Sequence, residues 1–151
     1  MSLSTNLLDA LSPKNRIFVA FSGGLDSTAL LFLCNKALKQ KKINNLKAIH
    51  INHNLSKNSD NWQQHCESFC RSNNIEFDSF MVEVSKNRSS IESQARQARY
   101  KIFESLLDEN DQILLAHHRD DVFETILLRL FRGTGVDAVS YTHLRAHETV
   151  Y

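Results

Sequence analysis

The chain has 151 residues, of which 42% are hydrophobic and 23% charged, with one proline and four glycines. That composition excludes disordered, collagen-like and membrane-embedded classes and leaves room for one core-bearing domain, not two. Eighteen basic residues against seventeen acidic give a net charge of +1, so no long-range field draws the chain to nucleic acid and any RNA contact must be a local patch.

The amino terminus has no basic segment followed by a long apolar stretch, and the longest apolar run, residues 29–34, is far too short for a span. Cys34, Cys66 and Cys70 are odd in number and match neither a CxxC pair nor the common zinc spacings. We therefore expect reduced thiols in a cytoplasmic protein with no membrane partner.

Four short apolar runs, residues 17–21, 46–51, 76–84 and 112–116, alternate with helical patterns. This βαβα alternation implies a parallel sheet covered by helices. The first helix is expected over 26–39, with Leu30, Leu33, Cys34, Ala37 and Leu38 on one stripe and Lys36, Lys39, Lys41 and Lys42 closing it. The second, over 59–71, places Trp62, Cys66, Phe69 and Cys70 toward the core and ends at Asn73-Asn74.

The third helix, over 90–107, carries the stripe Ile91, Ala95, Ala98, Ile102 and Leu106, with Glu92, Arg96 and Arg99 on an adjacent face. A fourth is expected over 120–132, burying Val122, Phe123, Ile126, Leu127 and Leu130 and stopping at Gly133-Thr134-Gly135.

Between the first strand and the first helix lies Phe21-Ser22-Gly23-Gly24-Leu25-Asp26-Ser27-Thr28, at the sheet edge where α/β proteins bind ligands. Paired glycines allow positive φ and close backbone approach, so successive N–H groups can surround phosphate oxygens at the positive end of a helix. Asp26 would repel a bare phosphate but suits a magnesium ion bridging carboxylate and phosphate; the plainer alternative is a helix-start carboxylate. His50 and His53, three apart on an extended segment, point to opposite faces and are read as packing on the nucleotide side rather than metal ligands.

SGGLDS resembles the PP-loop of the ATP pyrophosphatase superfamily, which cleaves ATP between the α and β phosphates to adenylate a substrate. Three further segments resemble the amino-terminal domain of the bacterial tRNA(Ile)-lysidine synthetase family: HINHNLS from His50, ESQARQARY from Glu92 and AHHRDDVFET from Ala116, with Arg132-Gly133-Thr134-Gly135 continuing the match. The resemblance implies a Rossmann-like α/β three-layer sandwich with a mostly parallel sheet. It also implies ATP and Mg2+ as cofactors and an isoleucine tRNA and free L-lysine as partners. The cytidine C2 oxygen at the wobble position is adenylated, and the amine of lysine then displaces AMP.

By the same resemblance, Ser22, Gly23, Gly24, Leu25, Asp26 and Ser27 surround the pyrophosphate, and Asp26 ligates the metal. Ile51 and His117 lie beside the nucleotide. Asp120, Asp121 and Glu124 face lysine within one helical turn, Asp121 and Glu124 being the nearer contacts and one of them able to accept a proton; a plain acidic cluster in the first turn of a helix is the alternative. Arg99 and Arg96 suit the charge developing at the α-phosphate or an RNA phosphate, while a Glu92–Arg96 surface pair is the alternative. Arg132 is placed on the substrate side. For RNA the sequence offers the lysines of residues 36–42 and Arg88, without an aromatic-basic stripe. A homodimer is allowed, though no suitable patch stands out.

After Gly135 the pattern breaks. Residues 139–151, VSYTHLRAHETVY, have no apolar period and resemble a translated sequencing-adapter remnant. We expect residues 1–138 to be a PP-loop domain incomplete at its carboxyl end and 139–151 to be a non-native tail, with His143, His147 and Glu148 given no metal role. Two other readings remain: a different PP-loop adenylating enzyme, for tRNA thiolation or amide synthesis, or a truncated nucleotide-binding fragment without catalysis.

Overall fold

A computed structural model describes residues 3–85, 90–119 and 122–129. In chain order the elements are α1 (Leu3–Ala10), β1 (Ile17–Ala20), α2 (Leu25–Lys39), β2 (Lys47–Asn52), α3 (Ser59–Ser72), β3 (Glu76–Met81), α4 (Ile91–Leu106), β4 (Gln112–Arg119) and β5 (Val122–Arg129). The sheet order is β3-β2-β1-β4-β5, with the first four strands parallel and β5 antiparallel to β4.

The parallel strands follow from their composition. Ile17 and Val19 are fully buried against α2 and α3, while Phe18 packs on the opposite face with Phe103 of α4. Burial on both faces is why these strands read as continuous apolar runs rather than alternating ones. Leu30, Cys34 and Ala37 of α2 and Cys66 and Cys70 of α3 complete the first core from the expected stripes, joined by Leu31, which was not expected there, while Leu33 is only partly buried. Each buried leucine contributes roughly 1.5–3 kcal/mol relative to exposure. All three cysteines are free and buried; burial pushes the thiols of Cys34 and Cys70 to about 12 and that of Cys66 to about 11, so they pack as neutral groups.

Three sequence expectations are corrected. Helix α1 was not anticipated; it is held by Gln112, whose side chain accepts from the Ser12 N–H and donates to the Ala10 carbonyl. On α4 the fully buried side chain is Phe103, while Ile91 is 40% exposed. The expected fourth helix is absent: Val122–Arg129 is strand β5, paired with β4 from Arg119↔Val122 to Gln112↔Arg129. Residues 122–129, VFETILLR, show no strict alternation, but β-branched Val122, Thr125 and Ile126 beside the open edge of β4 favour the ladder, which pairs that edge's backbone groups.

The order 3-2-1-4 places a switch point between β1 and β4: α2 leaves β1 toward β2 on one face, whereas α4 brings the chain from β3 across the other face to β4. A ligand crevice is expected beyond the carboxyl ends of those two strands.

Candidate nucleotide site

The loop leaving β1 is built by its own hydroxyls. Ser22 Oγ lies 2.9 Å from Ser27 Oγ and accepts from the Gly24 N–H at 3.2 Å, while the Ser22 N–H donates to Ser27 Oγ at 3.2 Å. Thr28 Oγ1 donates to the Gly24 carbonyl at 2.7 Å. Gly23 takes φ of +81°, a region an L side chain rarely adopts. Gly24 is the N-cap of the fifteen-residue α2 with no side-chain cap, so the first-turn N–H groups and the helix dipole are presented to an incoming anion.

Around this loop lies a cleft of about 410 Å³ at the switch point, bounded by Ser22 and Ser27, by Ile49 to His53 of β2 and its exit, by Trp62 of α3, by Arg99 of α4 and by Leu115 and Ala116 of β4. His50 is buried, with Nδ1 2.8 Å from the Phe21 carbonyl oxygen; burial holds its pKa below the ordinary value against that bond's opposite effect. Asn52 is also buried and donates to Gln63 Oε1 at 3.0 Å and Asp60 Oδ1 at 3.3 Å, tying the end of β2 to α3.

Among the described residues, two buried nitrogens on this cleft have no hydrogen-bond partner: Nδ1 of His53 and Nε of Arg99. Burial lowers the pKa of each; the positive charges of Arg99 and then His50 lower that of His53 further, and Arg96 lowers that of Arg99 while Tyr100 opposes. Unpaired buried donors are costly and call for an explanation. A cationic guanidinium with an unused donor, across from a glycine loop at a helix start, is suited to a polyanion.

The sequence-selected residues separate into three groups. Ser22, Ser27, Ile51 and Arg99 line one cleft, and Gly23 and Gly24 shape its loop. Asp26 sits in the first turn of α2 beside it, half-buried, whereas Leu25 is 86% exposed and reaches away. Arg96 is exposed over the Tyr100 ring, in a separate groove with Ser93, Gln97, Lys101 and Glu104, so α4 turns Arg99 and Arg96 to different places. Among the described ion pairs, Glu92–Arg96 is not one. His117 and Glu124 face each other as backbone partners in the β4–β5 ladder, so Glu124 stands in a strand and not in the expected helical turn. Asp120, Asp121, Arg132 and Arg88 lie outside the described residues. Lys36, Lys39, Lys41 and Lys42 close α2 at the amino edge of the sheet, the far end from the cleft.

Sequence reasoning missed Asn52 and Trp62 as cleft residues, while His50 and His53, expected on the nucleotide side but on opposite faces, both line the cleft. His53 lies one residue past β2, where strand alternation no longer fixes its direction, so it and His50 line the same cleft instead of opposite faces. Trp62, expected in the core, is 48% exposed and covers the glycine loop.

The donor set also bears on a metal. Among the described residues no group of three His, Cys, Asp or Glu could hold an ion. Asp26 is a single hard oxygen donor next to a phosphate-type loop, which fits magnesium, an ion that completes its octahedron with phosphate and water oxygens.

The sequence pattern of the PP-loop domain family matches residues 2–150. A tRNA(Ile)-lysidine synthase of Legionella pneumophila (strain Lens) is 46% identical over 138 residues, covering 91% of this chain and 31% of that protein. One of Pseudomonas syringae pv. tomato (strain ATCC BAA-871 / DC3000) is 44% identical over 137 residues, covering 89% and 31%. Among solved structures, a U34-tRNA thiolase of Methanococcus maripaludis superposes with TM-score 0.58 at 24% identity, over 76% of this chain and 42% of that one; this likeness shows the fold. The chain spans about a third of the length of the curated relatives it matches.

Proposed function

The chain belongs to the PP-loop domain family, and on that premise we propose that it is the nucleotide-binding part of an enzyme that converts the wobble cytidine of an isoleucine tRNA to lysidine. The observation that carries the reading is the glycine loop with Gly23 at φ +81°, opening α2 at the switch point across one cleft from Arg99. The identity to lysidine synthases over nine-tenths of the chain supports the choice of reaction within the family.

In this reading ATP lies over the carboxyl ends of β1 and β4, with residues 22–27 around its pyrophosphate. Asp26 would hold magnesium, which when bound neutralises phosphate charge. The cytidine C2 oxygen attacks the α-phosphorus, the bond from that phosphorus to the bridging oxygen of the β-phosphate breaks, and pyrophosphate departs with the electron pair. The amine of lysine then attacks C2, and AMP leaves with the oxygen. Arg99 stabilises charge developing at the α-phosphate, where a preorganised donor acts more strongly than in water. Asp121 and Glu124, with Asp120, bind the lysine ammonium, and one of them accepts the proton the amine loses. Arg96 and Arg132 face RNA.

The domain assignment belongs to the same proposal: residues 1–138 form the PP-loop unit and 139–151 carry no role. Among the described residues no helix is long and apolar enough to cross a membrane, and a cytoplasmic site of action fits a tRNA substrate. The test is Asp26→Ala. The proposal expects loss of magnesium-dependent ATP cleavage; retained cleavage removes Asp26 from the mechanism. Lysine-dependent AMP release on isoleucine tRNA distinguishes this reaction from other adenylations.

A further inference from the structure

The chain holds one tryptophan, Trp62. It stands in the first turn of α3, its ring stacked on His65 with centroids 5.3 Å apart, and its indole N–H donates to the carbonyl oxygen of Ser22. The same indole edge walls the slot that receives Gly23. A Cβ at Gly23 would lie 3.1 Å from Trp62 Nε1, 3.2 Å from Trp62 Cε2 and 2.8 Å from Cys66 Sγ, one helical turn further along.

The Ser22 carbonyl and the Gly23 N–H belong to one planar peptide unit and point in opposite directions. A donor that holds the carbonyl therefore fixes the direction of the N–H as well. The fit of Gly23 against Trp62 and Cys66 leaves that peptide little room to rotate, and close packing of this kind resists small displacements. The loop's internal hydroxyl bonds act on the Gly24 and Ser27 side; on the Ser22–Gly23 side the restraint comes from α3.

The geometry points to Trp62 as a positioning residue that locks the Ser22–Gly23 peptide in the orientation a nucleotide's polyphosphate binds, an inference that rests on the ATP reading above. It touches the loop rather than the reacting atoms, so its effect must follow the phosphate and not the nucleoside. Because it is the sole tryptophan and lies on the loop, its emission also reports the loop's state.

The experiment is calorimetric titration of the chain and of Trp62→Phe with magnesium-ATP, magnesium pyrophosphate and adenosine. Trp62→Phe keeps a ring in place and removes the donor. Affinity for ATP and pyrophosphate should fall about tenfold, the scale of one hydrogen bond, with adenosine affinity and the melting curve unchanged. Equal ATP affinity in the two proteins overturns the inference. So does a parallel loss for adenosine, which would make Trp62 a base platform instead. Should Trp62→Phe not fold, the unsubstituted chain decides: pyrophosphate bound by calorimetry must shift the indole emission, and an unmoved spectrum overturns the inference. If the unsubstituted chain binds no ATP, the proposed function fails and takes this inference with it; a failure confined to Trp62→Phe leaves the function standing.

Discussion

The two ends of the parallel sheet treat their polar groups in opposite ways. At the amino edge the protein pairs them itself. Asn45 accepts from the Ile17 N–H at 2.8 Å and donates to the Asn15 carbonyl at 3.2 Å. Fully buried Gln112 joins β4 to the end of α1 through Ser12 and Ala10. Arg16 spans Asp111 and Asp108, and the bond from Asp111 raises its pKa further. At the carboxyl edge stand a glycine at positive φ, an uncapped helix start, and the unpartnered nitrogens of His53 and Arg99. One edge closes its hydrogen bonds for stability, and the other leaves donors for a ligand, as parallel α/β sheets do.

That contrast can be broken by substitution. The largest effect is expected for Arg99→Met, which should weaken ATP binding or turnover about a hundredfold, roughly 2.7 kcal/mol. Its denaturant midpoint should hold or rise, because a buried charge that has the Tyr100 ring but no carboxylate partner among the described residues is removed. A fall in stability as large as the loss of affinity would place Arg99 in the scaffold instead. The mirror case is Gln112→Ala, which strands the Ser12 N–H and Ala10 carbonyl and should cost about 2–3 kcal/mol in chemical denaturation. ATP affinity per folded molecule should be unaltered, and a selective loss of affinity would blur the division between the edges.

Glu124→Gln and Asp121→Asn sharpen the ligand side. Each should raise the lysine KM about tenfold in a lysidine-forming assay with tRNA, the scale of one charge-assisted bond; unchanged KM in both removes them from the lysine site. The smallest effect is acidification. Burial lowers the folded-state pKa values of His50 and His53 below 6.5, so between the folded and unfolded values the unfolded chain binds more protons. Their contribution is full above about pH 6.5 and is lost as pH falls below it. A denaturant midpoint that rises on going from pH 7.5 to 5.5 would contradict this sign.

Much of this was legible in the sequence. The parallel strands and the helices α2, α3 and α4 are announced by apolar runs and stripes, and the loop at residues 22–27 by glycines at a strand-to-helix junction. What escaped depended on partners distant in sequence. Helix α1 is anchored by Gln112, about a hundred positions away, and no local pattern reveals that. Trp62 occupies a core-like position on α3, yet the neighbouring groove belongs to the Ser22–Gly23 peptide, which claims its N–H. Residues 122–129 carry no alternating pattern, so the open edge of β4, not the local sequence, decides for a strand. Arg96 and Arg99 look equivalent three apart on one helix, and the sheet beneath α4 turns only Arg99 into the cleft.

The central place of β1 also sets a timetable for synthesis. Phe18 pairs with Lys47 on one side, but Ile17 meets Gln112 only when about ninety-five more residues have been made. At typical translation rates that interval is about 5–20 s. Until β4 arrives, β1 is an edge strand of sequence IFVA, the kind of apolar edge that recruits other chains. The ribosome-bound chain is therefore most exposed to mispairing just before its ligand crevice comes into being, and slower elongation or a lower expression temperature lengthens or shelters that same window.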